Sequence, residues 1–119
     1  MKKKLNIQMT EIKDRQLQLV ADEAINGLAP AGQMLVDSDG VAFIYLLESN
    51  TDYTYMVLPE PVWPALKTGL EEKLPVYLTN EENKIELINF YEELEYLISN
   101  IKGNSNYGDE MVTKVESTF

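Results

Sequence analysis

The chain has 119 residues, 45% of them hydrophobic and 25% charged, a composition typical of a soluble protein that forms one globular domain over residues 1–119. It contains no cysteine and no histidine, which excludes disulfides, thiolate catalysis and Ser-His-Asp chemistry. The net charge of −10 disfavours nucleic acid as a partner, because phosphates carry the same sign. No apolar run approaches the ~20 residues of a membrane span, and no apolar segment follows the basic start, so we expect a cytoplasmic protein with no signal peptide and no membrane partner.

The charge is distributed unevenly along the chain. Residues 1–15 carry five basic and two acidic residues, whereas the remaining 104 residues carry five basic and 18 acidic ones. A surface of this sign keeps a protein soluble. It would also suit an acidic patch that docks a basic partner or imitates nucleic acid, and these interpretations stay open at the level of the sequence.

The N-terminal part is predicted to form a β-hairpin. Leu5, Ile7 and Met9 alternate with polar residues, as in a half-buried strand, and residues 16–21 alternate in a similar way. Residues 13–15 would supply the tight connection between the two strands. The following residues 24–32 contain two glycines and a proline, so they are predicted to form a loop.

The run 41–47 is the predicted centre of the sheet. It holds seven consecutive apolar or aromatic residues between the turn sequence 37–40 (DSDG) and a polar break at 48–52. A short run of this kind predicts a strand with two apolar faces, and both faces need to be covered. Phe43 and Ile44 should therefore be almost fully buried on opposite faces.

The other elements are predicted from their hydrophobic periodicity and from the proline, glycine and polar residues at their ends. In chain order they are strands 33–36 and 53–58 on either side of the central run, a helix opened by Pro61 and Pro64 and ended by Pro75, a hairpin of 75–79 and 84–87, a helix over 90–102, and a short helix with Asp109 as its N-cap.

The helix over 90–102 has the clearest local signals. Apolar residues recur at helical spacing from Phe90 to Ile101. Asn89, with Glu92 three residues later, is typical of a capping box, in which the Asn oxygen accepts a hydrogen bond from an unpaired backbone N–H. Gly103 is predicted to stop the helix.

Two groups of carboxylates are the candidates for chemistry. Asp37-Ser38-Asp39-Gly40 begins like a calcium-binding loop but lacks the later ligands and the closing Glu, so a hairpin turn is favoured. Glu92, Glu93 and Glu95, beside Tyr91 and Tyr96, could line an acidic cleft. Pairing with the positive end of the helix and a solvated face explain these residues more simply.

Aromatic residues form the third candidate group. Tyrosine covers apolar surface and keeps a polar tip, so it suits both the faces of a sheet and binding surfaces. Packing within the fold is favoured over a binding surface. The group consists of Tyr45, Tyr53, Tyr55, Tyr77, Tyr91, Tyr96, Tyr107 and Trp63.

Several separate blocks carry a resemblance to a known family. They are GQMLVDSD at 32–39, YLLE at 45–48, VLPE at 57–60, WP at 63–64 and SNIKGNSNYG at 99–108. In this order they resemble a small family of uncharacterised proteins from Bacillus-like Firmicutes, over about residues 28–112. The resemblance implies a Gram-positive cytoplasmic protein. It implies no activity, cofactor or catalytic residue.

These observations predict an α+β fold, with a single mostly antiparallel sheet of five to seven short strands, two packed helices and a short C-terminal helix. No catalytic, cofactor-binding or metal-binding residue is assigned, and no cofactor is expected. The favoured function is a non-catalytic interaction or regulatory module that acts through protein contacts. The alternative is a small-molecule-binding protein or an enzyme that uses carboxylates or a divalent metal.

One face of the predicted sheet is left without a cover. Two helices can cover only one side, yet the central run is apolar on both. The N-terminal hairpin, the segment 109–119 or a second copy of the chain could cover the other side, so a homodimer is one of three solutions. A protein partner of unknown identity remains open as well.

Overall fold

The structure is a computed structural model that describes residues 3–50 and 52–119. Within these residues the strands are β1 (Lys3–Asn6), β2 (Met9–Lys13), β3 (Gln16–Val20), β4 (Ala29–Asp37), β5 (Ala42–Ser49), β6 (Asp52–Pro59), β7 (Val76–Thr79) and β8 (Lys84–Glu86). The helices are α1 (Trp63–Glu72), α2 (Phe90–Ile101) and α3 (Asp109–Thr118), and short 3-10 turns lie at Glu60–Val62 and Ser105–Tyr107.

The strands form two four-stranded sheets rather than one. Sheet 1 has the order β1-β6-β5-β4 and sheet 2 the order β2-β3-β7-β8. Both sheets are mixed, because β1 runs parallel to β6 and β3 runs parallel to β7. The predicted single, mostly antiparallel sheet of five to seven strands with two packed helices is therefore wrong. Local patterns had revealed the strands, but they do not report which distant strand each one joins.

The predicted N-terminal hairpin is also wrong in its first strand. The alternation from Leu5 to Met9 belongs to two strands, since the chain leaves sheet 1 after Asn6 and enters sheet 2 at Met9. Between them, Ile7 is buried and its N–H donates to Val57 O at 3.0 Å. The hairpin that does form joins β2 to β3 in antiparallel register.

The prediction for the central strand is confirmed. β5 lies between β4 and β6 and is antiparallel to both, and Phe43 and Ile44 are both buried. β4 is longer than predicted, because it begins at Ala29 within the expected loop. Its register with β5 shifts between Pro30 and Met34, which is where the glycine- and proline-rich sequence interrupts regular pairing.

One cluster of buried side chains joins the two sheets and the three helices. From β5 the cluster includes Phe43, Tyr45 and Leu47, whereas the alternating residues Ala42, Ile44 and Leu46 point to the other face of sheet 1. Trp63 lies in this core, with its ring centroid 5.1 Å from that of Phe43, and its indole N–H donates to Leu58 O at 3.0 Å. Other members of the cluster are Leu5, Leu17, Leu19, Met56, Leu66, Val76, Leu78, Phe90, Leu94, Met111 and Val115.

The helix ends differ in detail from the predicted caps. Asn89 is not a side-chain cap: it has a φ of 58°, in the left-handed region, and its side chain makes no capping hydrogen bond. Asp109 is the first residue of α3 and Gly108 occupies the cap position, so the second predicted cap is also wrong. Gly103 follows α2 with a φ of 72°, as a helix stop requires. In the described part of the chain, no helix has the length and apolarity needed to cross a bilayer.

Candidate interaction surface

The outer face of sheet 1 is apolar and is the candidate functional surface. The register places Ile44 opposite both Leu35 and Val57, and Leu46 opposite Tyr55. Because opposed residues of neighbouring strands point to the same side, these side chains share one face. We define the outer face of sheet 1 by its apolar residues, which are Leu35, Ala42, Ile44, Leu46, Tyr53, Tyr55, Val57 and Pro59. The register places four polar residues on the same side around them, Lys4, Asn6, Asp37 and Glu48.

In the described residues, the central side chains of this face stand apart from the core that the helices join. Ala42, Ile44 and Leu46 are buried, yet they lie outside the cluster that unites the rest of the core. At the margin, Leu35 is 41% exposed and Tyr53 is 46% exposed. Within residues 3–50 and 52–119, the face is thus open to a partner.

The two segments that the sequence offered as covers lie elsewhere. The β2–β3 hairpin belongs to sheet 2. The last helix packs on the other side of sheet 1, where the ring of Phe119 lies 6.2 Å from Phe43 and 5.8 Å from Trp63. Neither the β2–β3 hairpin nor the segment 109–119 therefore takes the position over the outer face that the sequence allowed.

Sheet 2 provides an internal comparison, because its outer face is mainly polar. There Lys84 Nζ donates to Gln16 Oε1 at 2.6 Å and lies 4.4 Å from the centre of the Tyr77 ring. Glu11, Gln18 and Glu86 share this side, and its apolar residues, Met9 and Val20, are opposite each other at one end. A sheet face in water normally carries polar side chains, and sheet 2 follows this pattern whereas sheet 1 does not.

The ends of the outer face of sheet 1 are acidic. Asp37 and Asp39 lie at the turn between β4 and β5, and Glu48 and Asp52 lie at the other end, where β5 turns into β6. Lys4, on β1 beside Tyr55, adds a positive charge on one margin. The surface therefore combines an apolar centre with negative charge at both strand ends.

The segment Asp37-Ser38-Asp39-Gly40 forms a hairpin turn, as favoured from the sequence. Asp37 Oδ1 accepts a hydrogen bond from the Gly40 N–H at 3.1 Å, and Ser38 O accepts one from Val41 N–H at 3.4 Å. The Asp37 side chain is thus used to hold the turn. Across the described residues, no group of three or more Asp and Glu side chains is arranged to hold a metal ion.

The residues of the predicted acidic cleft do not converge. Tyr96 is largely exposed, whereas Glu93 Oε1 accepts a hydrogen bond from the Met34 N–H at 3.0 Å and so anchors α2 to β4. Tyr91 is half-buried, with its ring edge-to-face with Phe90 at 5.6 Å. Its hydroxyl is buried and has no hydrogen-bond partner among the described residues.

Tyr45 lies at the same junction of β5, β4 and α2. Its hydroxyl donates to Ile88 O at 2.6 Å, and its ring stacks on Phe90 at 5.6 Å. Burial raises the pKa of Tyr45 to about 12, the backbone of Gly32 acts in the opposite direction, and the charge of Glu93 raises it further. The hydrogen bond to Ile88 O and the ring contact with Phe90 tie β5 to the start of α2, so Tyr45 has a structural role at this junction.

The tyrosines divide between packing and the open face. Tyr45 belongs to the core, and Tyr91 and Tyr107 pack against it. Tyr53 and Tyr55 lie on the outer face of sheet 1, and Tyr77 lies on the polar face of sheet 2. Packing in the core therefore explains part of this group, while two members lie on the outer face of sheet 1.

An acidic cleft of about 470 Å³ lies between the loop after β3 and the β7–β8 turn. Asn80 organises its walls: its side-chain amide donates to Glu23 O at 3.1 Å, and its oxygen accepts hydrogen bonds from the backbone N–H groups of Glu82 and Asn83. These bonds close the turn, so the asparagine has a structural role at this position.

Sequence reasoning missed Leu35, Val57 and the free edge at β2. The double-sided apolar run did reveal that β5 has a second face, but the assumption of one sheet hid the difference between the two outer faces. The signal for β2 was present in the Asp14-Arg15 pair, which forms a two-residue turn and leaves residues 9–13 free to extend as a strand.

Comparisons with known proteins identify relatives along nearly the whole chain. A UPF0738 protein of Bacillus subtilis (strain 168), YjbL, is 44% identical over 121 residues, covering 100% of this chain and 99% of the relative. A UPF0738 protein of Geobacillus sp. (strain WCH70) is 40% identical, covering 100% and 98%, and one of Staphylococcus aureus (strain bovine RF122 / ET3-1) is 41% identical, covering 98% and 96%. No solved structure matches the chain. Residues 5–119 match the family described as "Family of unknown function (UPF0738)", and the chain therefore belongs to the UPF0738 family.

Proposed function

We propose that the protein is a non-catalytic interaction module of the cytoplasm that binds another protein through the outer face of sheet 1. The observation that carries this proposal is the apolar character of that face, whose central side chains lie outside the core that the helices join. An apolar sheet face is typical of a binding site, and the exposed side chains of Leu35 and Tyr53 would supply contact area at its margin. The polar outer face of sheet 2 shows that this fold does not require an apolar exterior.

The charges at the strand ends support a partner with an apolar patch and a basic margin. Asp37 and Asp39 at one end and Glu48 and Asp52 at the other would attract lysine or arginine side chains around that patch. A partner of this kind also fits the strongly negative charge of the chain beyond residue 15.

A second copy of the chain is a poor occupant for this face. Two sheets that pack face to face keep their strands within about 30° of each other. If the twofold axis runs along the strands, each acidic end lies over the same end of the other copy. If it runs across the strands, each acidic end lies over the opposite end, which is also acidic, so either arrangement opposes carboxylates.

Site-specific photo-crosslinking tests the proposal. The photoreactive amino acid p-benzoylphenylalanine replaces Leu35 or Tyr53 on the outer face, and Gln18 on the outer face of sheet 2 as the matched control. In cells that make the protein, the first two positions should yield a crosslinked adduct with the same second protein, and the control should not.

The purified second protein then provides the direct measurement. Its binding should weaken at least tenfold with Leu35→Glu, because a charge is placed in the apolar contact, and should weaken as salt is added, because the basic margin is screened. Gln18→Glu makes the same change in charge and should leave binding unchanged. The proposal is wrong if the outer-face positions give no adduct, or if all three positions give the same one.

We also propose that the protein works as a homodimer. Since the outer face of sheet 1 is acidic at both ends, the contact between copies is expected elsewhere on the molecule.

A further inference from the structure

The free edge of sheet 2 carries a second interaction surface. β2 pairs with β3 on one side and is the outermost strand of its sheet. An edge strand presents a row of unpaired backbone N–H and C=O groups, which can pair with another strand. Two apolar side chains of β2 are also left in solvent, since Met9 is 62% exposed and Ile12 is 47% exposed.

The turn of the β2–β3 hairpin determines which backbone groups point to this edge. Asp14 and Arg15 have φ values of 54° and 60°, as both central residues of a type I′ turn require, and Lys13 pairs with Gln16 across them. In a two-residue hairpin this closing pair exchanges hydrogen bonds. Hydrogen-bonded and open pairs alternate along an antiparallel ladder, so Thr10 and Ile12 direct their N–H and C=O groups to the free edge.

From this geometry we propose that two copies of the chain pair through β2, antiparallel and with the twofold axis at Ile12. In this register the two Ile12 residues exchange both backbone hydrogen bonds. Glu11 of each copy then lies opposite Lys13 of the other, in the open type of pair that brings side chains closest. Two opposite-charge pairs thus flank an apolar contact, and the two sheets 2 become one continuous sheet of eight strands.

The neighbouring registers are less favourable. An axis at Glu11 or at Lys13 would oppose two identical charges, which is destabilising. An axis at Thr10 would oppose Glu11 and Met9, so it gains no charge pair. The sequence of the edge is therefore self-complementary in one register.

The local environment of the edge also favours a second copy. Residues 9–15 carry two basic and two acidic residues, so this segment is neutral, whereas the chain beyond residue 15 is strongly acidic. Ile12 lies opposite Leu17, whose side chain belongs to the core cluster. Pairing of the two Ile12 side chains would extend that core across the axis and remove them from water.

Light scattering on the full chain tests the inference, with variants in which the charges of Glu11 and Lys13 are reversed singly and together. The wild type should approach twice the monomer mass of 13.6 kDa as its concentration rises at low salt. Glu11→Lys and Lys13→Glu should each raise the dissociation constant about tenfold, because both charge pairs become repulsive. The double variant Glu11→Lys/Lys13→Glu restores opposite charges in the same register and should recover the dimer. Glu81→Lys, in the exposed turn after β7, changes the charge equally and should have no effect.

A backbone variant separates this contact from the rest of the fold. Ile12→Pro removes a donor that faces the free edge and not β3, so it should leave the monomer folded by circular dichroism and abolish the dimer. A mass near 13.6 kDa at every concentration would overturn the inference, as would a dimer that Ile12→Pro and the charge variants leave unchanged. Leu35→Glu should leave the dimer intact. If it alone breaks the dimer, the second copy occupies the outer face of sheet 1, and the proposed partner site is wrong as well.

Discussion

The contact between Gly69 and Tyr91 sets the spacing of α1 and α2. A methyl group at Gly69 would clash with the Tyr91 hydroxyl and would lie 2.9 Å from a methyl carbon of Leu17. Alanine normally stabilises the interior of a helix by about 1 kcal/mol relative to glycine. Here the close approach of three elements reverses that preference.

We expect Gly69→Ala to destabilise the protein by about 1–3 kcal/mol, as overpacking does. Tyr91→Phe should stabilise it by about 1 kcal/mol, because it removes a buried hydroxyl with no hydrogen-bond partner among the described residues. Urea unfolding of the two single variants and of the double variant measures their coupling. Gly69→Ala should cost less when Phe replaces Tyr91, and strictly additive effects would contradict the contact.

The Tyr45 hydroxyl should make the free energy of unfolding decrease as the pH rises above 10. Near pH 8, Tyr45→Phe should cost about 1 kcal/mol, because the hydrogen bond to Ile88 O is lost. Since burial raises the pKa of the folded state to about 12 from an ordinary value of 10, the native protein binds more protons than the unfolded chain between these values. The contribution of Tyr45 is thus complete below pH 10 and is lost as the pH rises through 12.

The measurement is the free energy of unfolding of the wild type and of Tyr45→Phe from pH 8 to pH 12. The difference should shrink above pH 10 and change by about 2 kcal/mol by pH 12, so that the variant is then favoured by about 1 kcal/mol. A difference that stays constant over this range would show that the hydroxyl titrates normally. Tyr91, whose pKa burial also raises, is present in both proteins and cancels in the comparison.

Residue patterns predicted the turn at Asp37 correctly and the cap at Asn89 incorrectly, for a physical reason. Asp37 bonds to the backbone three residues later, so its partner is local and the sequence reveals it. Asparagine serves equally well as a cap or as a residue with positive φ, and Asn89 takes the second role, beside Gly32 of the β4 irregularity. Only the packing of α2 on β4 decides between the two.

At the level of elements, periodicity revealed most strands and helices but not their pairing. β5, β6, β7 and α2 lie close to their predicted bounds, because each carries a regular pattern. The two parallel pairs bring together strands that are far apart in sequence, so no local signal announces them. The break at Ile7 and Gln8 could not be predicted either, since an alternating pattern continues through it.

The two faces of β5 should respond differently to truncation. Phe43→Ala empties a site within the core beside Trp63 and should cost about 3–5 kcal/mol. Ile44 is buried but lies outside the core cluster, so Ile44→Ala should cost less, about 2 kcal/mol, because its surroundings can relax more easily. Chemical denaturation of both variants at low protein concentration checks this. Equal losses would mean that the outer face of sheet 1 is covered within the chain.

At the scale of the whole molecule, the outer faces of the two sheets differ in polarity. Sheet 2 is polar outside and has a self-complementary edge, whereas sheet 1 is apolar outside and acidic at its ends. The sequence predicted an uncovered apolar face from the run 41–47 alone. It could not locate the charges around that face, because Asp37 reaches one end of the face, and Glu48 and Asp52 the other end, only when β4, β5 and β6 pair.

The single core predicts how the molecule unfolds, and we propose that residues 1–119 form one cooperative unit. The core cluster contains side chains of both sheets and of all three helices in the described residues, so neither sheet keeps its apolar face covered if the other unfolds. Trp63 is the one tryptophan of the sequence and lies between Phe43 and Phe119. Its fluorescence and the far-ultraviolet circular dichroism should therefore give superimposable urea curves.

Phe119→Ala, at the end of the chain, should lower both midpoints together, at a cost of about 2 kcal/mol for a half-buried ring. A loss of dichroism that precedes the change at Trp63 would show that one sheet unfolds alone and that the chain consists of two units.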